Sequence, residues 1–286
     1  MMLPASDCHV HSAFSHDGHY SMAELGEAAV SAGLDYITIT DHADDCVFND
    51  FSPDSLGKLS AQVGHVLEPY CDKTALYGDY IQAKEHLKGR TQLLLGVEIG
   101  GWNHDAEKGR EIAARWPFDY ILASIHNLKG QDDFYVLDYR KTNFPEIAER
   151  YIAESAELVR MGGFDALAHF GYFLRYMARD GLDVSKGFLS FEAQLTELFR
   201  LMIEKGIALE VNTSGVFYNF NDFIPSMKVF QIYRSLGGEL VTMGSDSHTT
   251  SGVGAGLKDA REMLASLGYR CYTVFIKRKP VMLPLV

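Results

Sequence analysis

Ten side chains able to hold a metal or move a proton fall at the ends of short apolar runs in this chain: His9, His11, Asp41, His42, Glu98, His126, His169, Glu210, Asp246 and His248. Imidazole nitrogens and carboxylate oxygens suit borderline and first-row ions such as zinc, iron and manganese. In HVH (9–11) the histidines are two apart, so on a strand both rings leave the same face and can reach one ion. Asp246-Ser-His248 repeats that spacing. One H-x-H is weak by itself, since eleven histidines in 286 positions give roughly 0.4 such pairs by chance. The set is stronger. Six of the eleven histidines end apolar runs, where burying an imidazole is costly unless it finds a partner. A metal cluster supplies that partner to all of them at once.

The elements that must position these groups are legible as DCHVH (7–11), YITITDH (36–42), LLLGVEI (93–99), YILASIH (120–126), ALAHF (166–170), ALEVNT (208–213) and LVTMGSDSH (240–248). Their apolar cores, several rich in Val, Ile and Leu, suit strands buried on both faces. An eighth run, CYTVFI (271–276), reads as a final edge or barrel strand. Helical patterns lie between them. Ser21 and Glu24 form a capping box for a helix running to about Gly33, and further helices are expected at 144–161, 190–205, 225–236 and 257–267. Pro225 fits the first helical position of the fourth, and Gly268 stops the last. The intervals 43–92 and 127–165 have room for extra helices over one end of the sheet. Strand–helix alternation of this kind builds a parallel sheet, either closed or doubly wound. Chemistry at the ends of many strands favours the closed barrel, because an open sheet gathers it at one switch point.

Length and composition are consistent with one domain over residues 1–286. A formal net charge of −12 argues against nucleic acid or anionic lipid as a partner. No apolar run reaches the ~18 residues of a membrane span, and MMLPASDCHVHS lacks a signal pattern, so a cytoplasmic protein is expected. The four cysteines, Cys8, Cys46, Cys71 and Cys271, form no CxxC pair, which suggests neither a disulfide scaffold nor a thiolate zinc site.

The order HVHS, FSHDG, TDH, GVE, SIH, AHF and GSDSH resembles the PHP family of metal-dependent phosphoesterases, and within it the histidinol-phosphatase branch. The resemblance extends to the closing YTVFIKRKPVMLPL. It implies an α/β fold, a distorted, TIM-like (β/α)7 barrel of PHP type, with a site for three divalent ions (Zn, Fe or Mn). Carried over by position, His9, His11 and Asp246 would hold the first ion. Glu98 would bridge to a second, completed by His126 and His169. The third would take His42, His248 and a ligand six residues after His11, which is Asp17 on spacing, with His16 its competitor. Clustered metals activate a bridging water at neutral pH, so Glu98 and Asp246 would hold the attacking hydroxide. Three divalent ions also offset half of the −12 formal charge where a phosphate must arrive.

Arg175, six residues after His169, matches the arginine of that branch and would clamp the phosphate bidentately; the plain alternative is a helix-surface arginine. Asn212 and Ser214 could line the pocket with Glu210. Many relatives place an arginine and then a lysine soon after the next glycine, whereas this chain reads Gly215-Val-Phe-Tyr-Asn-Phe-Asn. That departure bears on the substrate and leaves the metal site untouched. His65, His86 and His104 read as solvated surface, and His19 as a neighbour of the metal loop. Asp41 could orient a ligand or protonate the leaving alkoxide. GVGAG (252–256) lacks the Lys-Ser/Thr of a P-loop and reads as a turn. Asp44 and Asp45 with Phe48 and Phe51, in the long 43–92 interval, could form a lid gripping an imidazole-like group, and a surface helical hairpin explains the interval equally well. The leading functional reading is a phosphomonoesterase acting on L-histidinol phosphate, a step of histidine biosynthesis. The others are a phosphoesterase for another small monoester, diester or nucleotide, and a non-catalytic scaffold. The sequence leaves oligomeric state open.

Overall fold

A computed structural model describes residues 3–63, 69–70, 73–184, 187–217 and 220–285. One sheet contains β1 (Ser6–Val10), β2 (Tyr36–Ile39), β3 (His42–Ala43), β4 (Gln92–Gly100), β5 (Tyr120–Ser124), β6 (Ala166–Leu167), β7 (Ala208–Asn212) and β8 (Val241–Gly244). Its path runs β1-β2-β4-β5-β6-β7-β8 with every pairing parallel, and β3 pairs beside β4 past the end of β2. Strands β1, β5, β7 and β8 are buried at every residue, as expected for strands with a packed barrel inside and helices outside.

The two ends of the path meet through a single parallel bridge, Val10 to Ser247. His11 N–H donates to Ser247 O (2.9 Å) and Asp246 N–H to His9 O (2.8 Å). The barrel of seven strands expected above is therefore present and nearly closed, distorted at this seam. Asp7 fastens it by accepting from Ser245 N–H (2.9 Å), Ser245 Oγ–H (2.6 Å) and Gly254 N–H (2.8 Å). Gly244 lets the seam close, since a Cβ there would lie 2.3 Å from the Cβ of His9. GVGAG is accordingly a turn that docks on Asp7.

The helices are α1 (Met22–Ser31), α2 (Pro53–Val63), α3 (Leu76–His86), α4 (Ala106–Ala113), α5 (Phe144–Met161), α6 (Phe173–Arg179), α7 (Glu192–Lys205), α8 (Met227–Ser235) and α9 (Leu257–Ser266). The capping box forms, with Ser21 N–H on Glu24 Oε2 (2.8 Å) and Glu24 N–H on Ser21 Oγ (3.3 Å). Two expectations are corrected. Pro225 precedes the N-cap Ser226 instead of opening α8, because Ile224 is still paired to Asn212. CYTVFI is not a barrel strand: as β9 (Cys271–Ile276) it pairs antiparallel with β10 (Lys279–Pro284) in a separate sheet. The turn of that hairpin plugs the barrel's N-terminal end. Lys277 N–H reaches Asp119 (2.9 Å), Arg278 pairs with Asp165, and Phe275 stacks on Tyr120 with centroids 5.4 Å apart. Among the described residues no helix is long and apolar enough to cross a membrane.

Candidate metal centre

Parallel strands place their C-terminal ends at one mouth, and the polar run-ends of the sequence collect there. His9 lies in β1, with His11 just beyond it on the same face. His42 in β3 is in register with Glu98 in β4. His126, His169 and Asp246 each come two residues after the ends of β5, β6 and β8. Asp17 and His16 come from the loop before α1. His169 (φ 23°) and Asp246 (φ 55°) adopt left-handed backbone conformations that side chains rarely take, a strain held in place by the seam and by Glu210.

Glu98 is the hub. Its Oε2 lies 3.3 Å from His9 Nε2, 3.6 Å from His11 Nε2 and 2.9 Å from His42 Nδ1. Its Oε1 lies 3.1 Å from His126 Nε2 and 2.7 Å from His169 Nε2. The two oxygens of one fully buried carboxylate thus serve two different sets of histidines, as a group shared by two ions must. Asp246 Oδ1 lies 3.2 Å from His11 Nε2 and 3.6 Å from His9 Nε2. Asp17 faces His248 Nε2 (3.1 Å) and His42 Nε2 (3.8 Å), while His16 stacks on His42 with centroids 4.9 Å apart. All nine expected ligands are brought together, and so is the competitor His16.

This arrangement fits divalent cations. His9 and His11 point their Nε2 atoms at each other across 2.9 Å, among carboxylate oxygens. Asp17 Oδ1, His42 Nδ1, His169 Nδ1 and His248 Nε2 are buried without a well-directed hydrogen bond. Burial opposes the charge of Glu98, but His42, His126, His9 and His169 override it and hold the carboxyl well below its usual range. Asp246 and Asp17 are likewise held down, against burial, by their histidines.

Around the ligands stands a shell that sequence reading caught only in part. Glu210 Oε1 accepts from His9 Nδ1 (2.6 Å), and its Oε2 accepts from the His169 amide (2.6 Å) and Asn212 Nδ2 (3.3 Å). A carboxylate on one imidazole nitrogen leaves the other free to ligate and fixes the ring. Asp44 does the same for His126 Nδ1 (3.0 Å); burial opposes its charge, yet His126 holds its carboxyl at about 2. Gly100 makes room, because a Cβ there would come 1.9 Å from Asp44 Oδ1. Asp41 accepts from Ser12 and from Ser15 Oγ (3.0 Å), and Ser15 Oγ meets His11 Nδ1 (3.0 Å). Asp41 thus reaches His11 from beneath through Ser15, a placement compatible with the first of its two expected roles.

The mouth is a cavity of about 290 Å³, walled by Leu59, Asp133, Tyr135, Tyr172, Arg175 and Tyr176 besides the ligands. Arg175 on α6 is only 7% exposed, which excludes the helix-surface reading. Its guanidinium packs 4.1 Å over the Tyr172 ring and donates to Ser214 Oγ (3.1 Å), Asp246 Oδ2 (3.3 Å) and Tyr176 OH (2.9 Å). Neither Asn212 nor Ser214 lines the cavity as expected: Asn212 accepts from Ser214 N–H and Oγ–H (3.0 and 2.6 Å), and Ser214 in turn holds Arg175, so both support the wall from behind.

Other expectations fail for identifiable reasons. His104 is not solvated: its side chain is 3% exposed between Asp50 (2.5 Å) and Glu154 (3.3 Å), partners about fifty residues away in sequence. His86 is exposed as expected, and paired with Glu27. His19 is exposed. Phe51 belongs to the core and Phe48 packs against it, so the lid reading of these rings is dropped; Asp45 caps the Tyr70 N–H (2.9 Å). His65, Cys71, Tyr218 and Asn219 lie outside the described residues.

Comparison with known proteins shows what the chain as a whole is similar to. A protein of Clostridium acetobutylicum named "Probable histidinol-phosphatase" is 29% identical over 260 residues, 90% of this chain and 91% of its own. The histidinol-phosphatase of Lactococcus lactis is 25% identical over 281 residues, 94% and 93% of the two chains. The crystal structure of histidinol phosphate phosphatase from Lactococcus lactis, complexed with Zn, L-histidinol and phosphate, superposes with a TM-score of 0.77 at 22% identity, covering 98% of this chain and all of that one. The PHP domain model matches residues 7–214, most of the chain, and the chain belongs to the PHP domain family.

Proposed function

We propose that this chain is a metal-dependent histidinol-phosphatase, hydrolysing L-histidinol phosphate to L-histidinol and phosphate, and that residues 1–286 form one PHP-type domain. The observation that carries the reading is Glu98 dividing its oxygens between two histidine sets, with the buried Arg175 3.3 Å from Asp246 at the same mouth. Relatives named histidinol-phosphatase align over nine-tenths of the chain and support the substrate.

His9, His11 and Asp246 would hold one ion, and His126 and His169 a second that shares Glu98. His42, His248 and Asp17 would hold a third. Bound divalent ions would activate water near neutral pH and offset the charge of the phosphate. The protein's own groups do the rest. Glu210, Asp44 and the Ser15–Asp41 pair fix the imidazoles of His9, His126 and His11 in their ligating orientation. Arg175 is held by Ser214 and Tyr176 with its fork toward the cavity, suited to two oxygens of a phosphoryl group. Zinc, iron and manganese all suit this nitrogen–oxygen set.

The test is phosphate release from L-histidinol phosphate beside sugar phosphates, nucleotides and an aryl diester, on metal-reconstituted protein with Asp246→Ala as control. L-histidinol phosphate should lead by orders of magnitude in kcat/KM, and Asp246→Ala should be inactive. One observation favours a second reading, another small phosphomonoester: Arg175 is the only Lys or Arg lining the cavity among the described residues. A different leading ester would select it. A protein that binds metal and hydrolyses nothing would be a scaffold.

A further inference from the structure

Among the described residues four aspartates line the cavity, and three are committed. Asp17 lies 3.1 Å from His248, Asp44 3.0 Å from His126, and Asp246 3.2 Å from His11. Asp133 differs. It forms no ion pair among the described residues, and Oδ1 takes a backbone hydrogen bond from Tyr135 N–H (2.7 Å). The opposing charges that act on it, His126 and Arg175, already serve Glu98 and Asp44 in one case and Asp246 in the other. Burial accordingly outweighs them and pushes its carboxyl up to about 6. Among the described residues it is thus the cavity-wall aspartate paired with no histidine or other cation, placed to take one from the cavity itself. Its neighbours on that wall, Tyr135, Tyr172 and Tyr176, add aromatic surface beside it.

We infer that Asp133 is a specificity-determining residue whose carboxylate receives a protonated nitrogen of the leaving alcohol, so that the site selects phosphate esters of cationic amino alcohols. The inference rests on the phosphomonoesterase reading and deepens it. Arg175 takes the anionic end of the substrate and Asp133 the cationic end, which gives an ester carrying both charges a single orientation. Charge-assisted hydrogen bonds of this kind change binding by about ten- to a hundredfold.

Asp133→Asn keeps an acceptor for Tyr135 N–H and removes only the charge. In metal-reconstituted enzyme, its kcat/KM for L-histidinol phosphate should fall about ten- to a hundredfold, mostly through KM. Turnover of phenylpropyl phosphate, a neutral alkyl ester, should stay within threefold. Calorimetric binding of L-histidinol should weaken by the same factor as KM. Equal losses on both alkyl esters with p-nitrophenyl phosphate spared would identify a proton donor and overturn the inference, as would no selective loss. Should wild type ignore L-histidinol phosphate, the pathway reading falls separately. Ethanolamine phosphate against propyl phosphate then decides: a wild-type preference for the cationic ester that Asp133→Asn abolishes sustains the assignment, and its absence ends it. Asp133→Ser, also an acceptor for Tyr135 N–H, repeats the comparison if the asparagine variant does not fold.

Discussion

Replacing Glu210 by glutamine keeps volume and removes one charge from beneath the site. Glu210 accepts at both oxygens, from His9 Nδ1 (2.6 Å) on one side and from the His169 amide (2.6 Å) on the other. A glutamine accepts at only one. If its oxygen keeps the His169 amide, its NH₂ faces His9 Nδ1, and the His9 proton must move to Nε2. Nε2 is the atom that faces His11 and Glu98, so its lone pair is lost to an ion. If the oxygen instead faces His9, the NH₂ meets the His169 N–H, two buried donors without an acceptor, at about 1–3 kcal/mol. Both arrangements weaken metal binding, by about 10–100-fold for a partner in this position. That is about 1.4–2.8 kcal/mol. Competition with a chromophoric chelator measures the affinity, and ¹⁵N NMR of the imidazoles reports the His9 tautomer. A Glu210→Gln protein that binds its ions within twofold of wild type, with the His9 proton still on Nδ1, would refute the reasoning.

Arg175→Lys should lower kcat/KM for phosphomonoesters by about ten- to a hundredfold, since an ammonium on a flexible stem loses both the fork and the stack on Tyr172; steady-state kinetics on two different esters checks that the loss is shared. Gly100→Ala drives a Cβ to 1.9 Å from Asp44 Oδ1, so Asp44 must leave His126, and metal content measured by mass spectrometry should drop. Asp133 has its carboxyl raised by burial from 3.8 to about 6. The native state therefore binds this proton more tightly than the unfolded chain, and stability falls as pH rises from about 4 to about 6. Asp133→Asn should raise Tm at pH 8 by a few degrees and leave it unchanged near pH 4, where scanning calorimetry of chelated protein reads both; the full shift is equivalent to about 3 kcal/mol, and the opening to the cavity reduces it to about 1–2. Chelation should abolish activity and lower Tm, because the converging carboxylates and imidazoles lose the ions that reconcile them.

Local pattern was enough for the barrel and for the residues at its mouth. Period-two spacing aims His9 and His11 to one side whatever the rest of the chain does, and a run such as YILASIH has to be a buried strand with its imidazole at the C-terminal end. The capping box at Ser21 and the stop at Gly268 are equally local, and both formed. Signals failed where the partner is remote. CYTVFI reads as a strand but cannot reveal that its mate is the next segment and its place the barrel floor. His104 looks solvated until Asp50 and Glu154 are folded onto it.

Tertiary structure alone decided the supporting shell. Asp44 meets His126 and Glu210 meets His9 across 82 and 201 residues, separations at which no periodicity operates. Gly100 and Gly244 matter for an atom they lack, visible only when Asp44 and His9 are set against them. Asp133 is one acid among many in sequence and becomes distinctive only because every other carboxylate in the cavity has found a histidine. Ligand type and strand position are properties of a residue and its near neighbours, which a sequence records. Which charge remains uncompensated is a property of the packed whole.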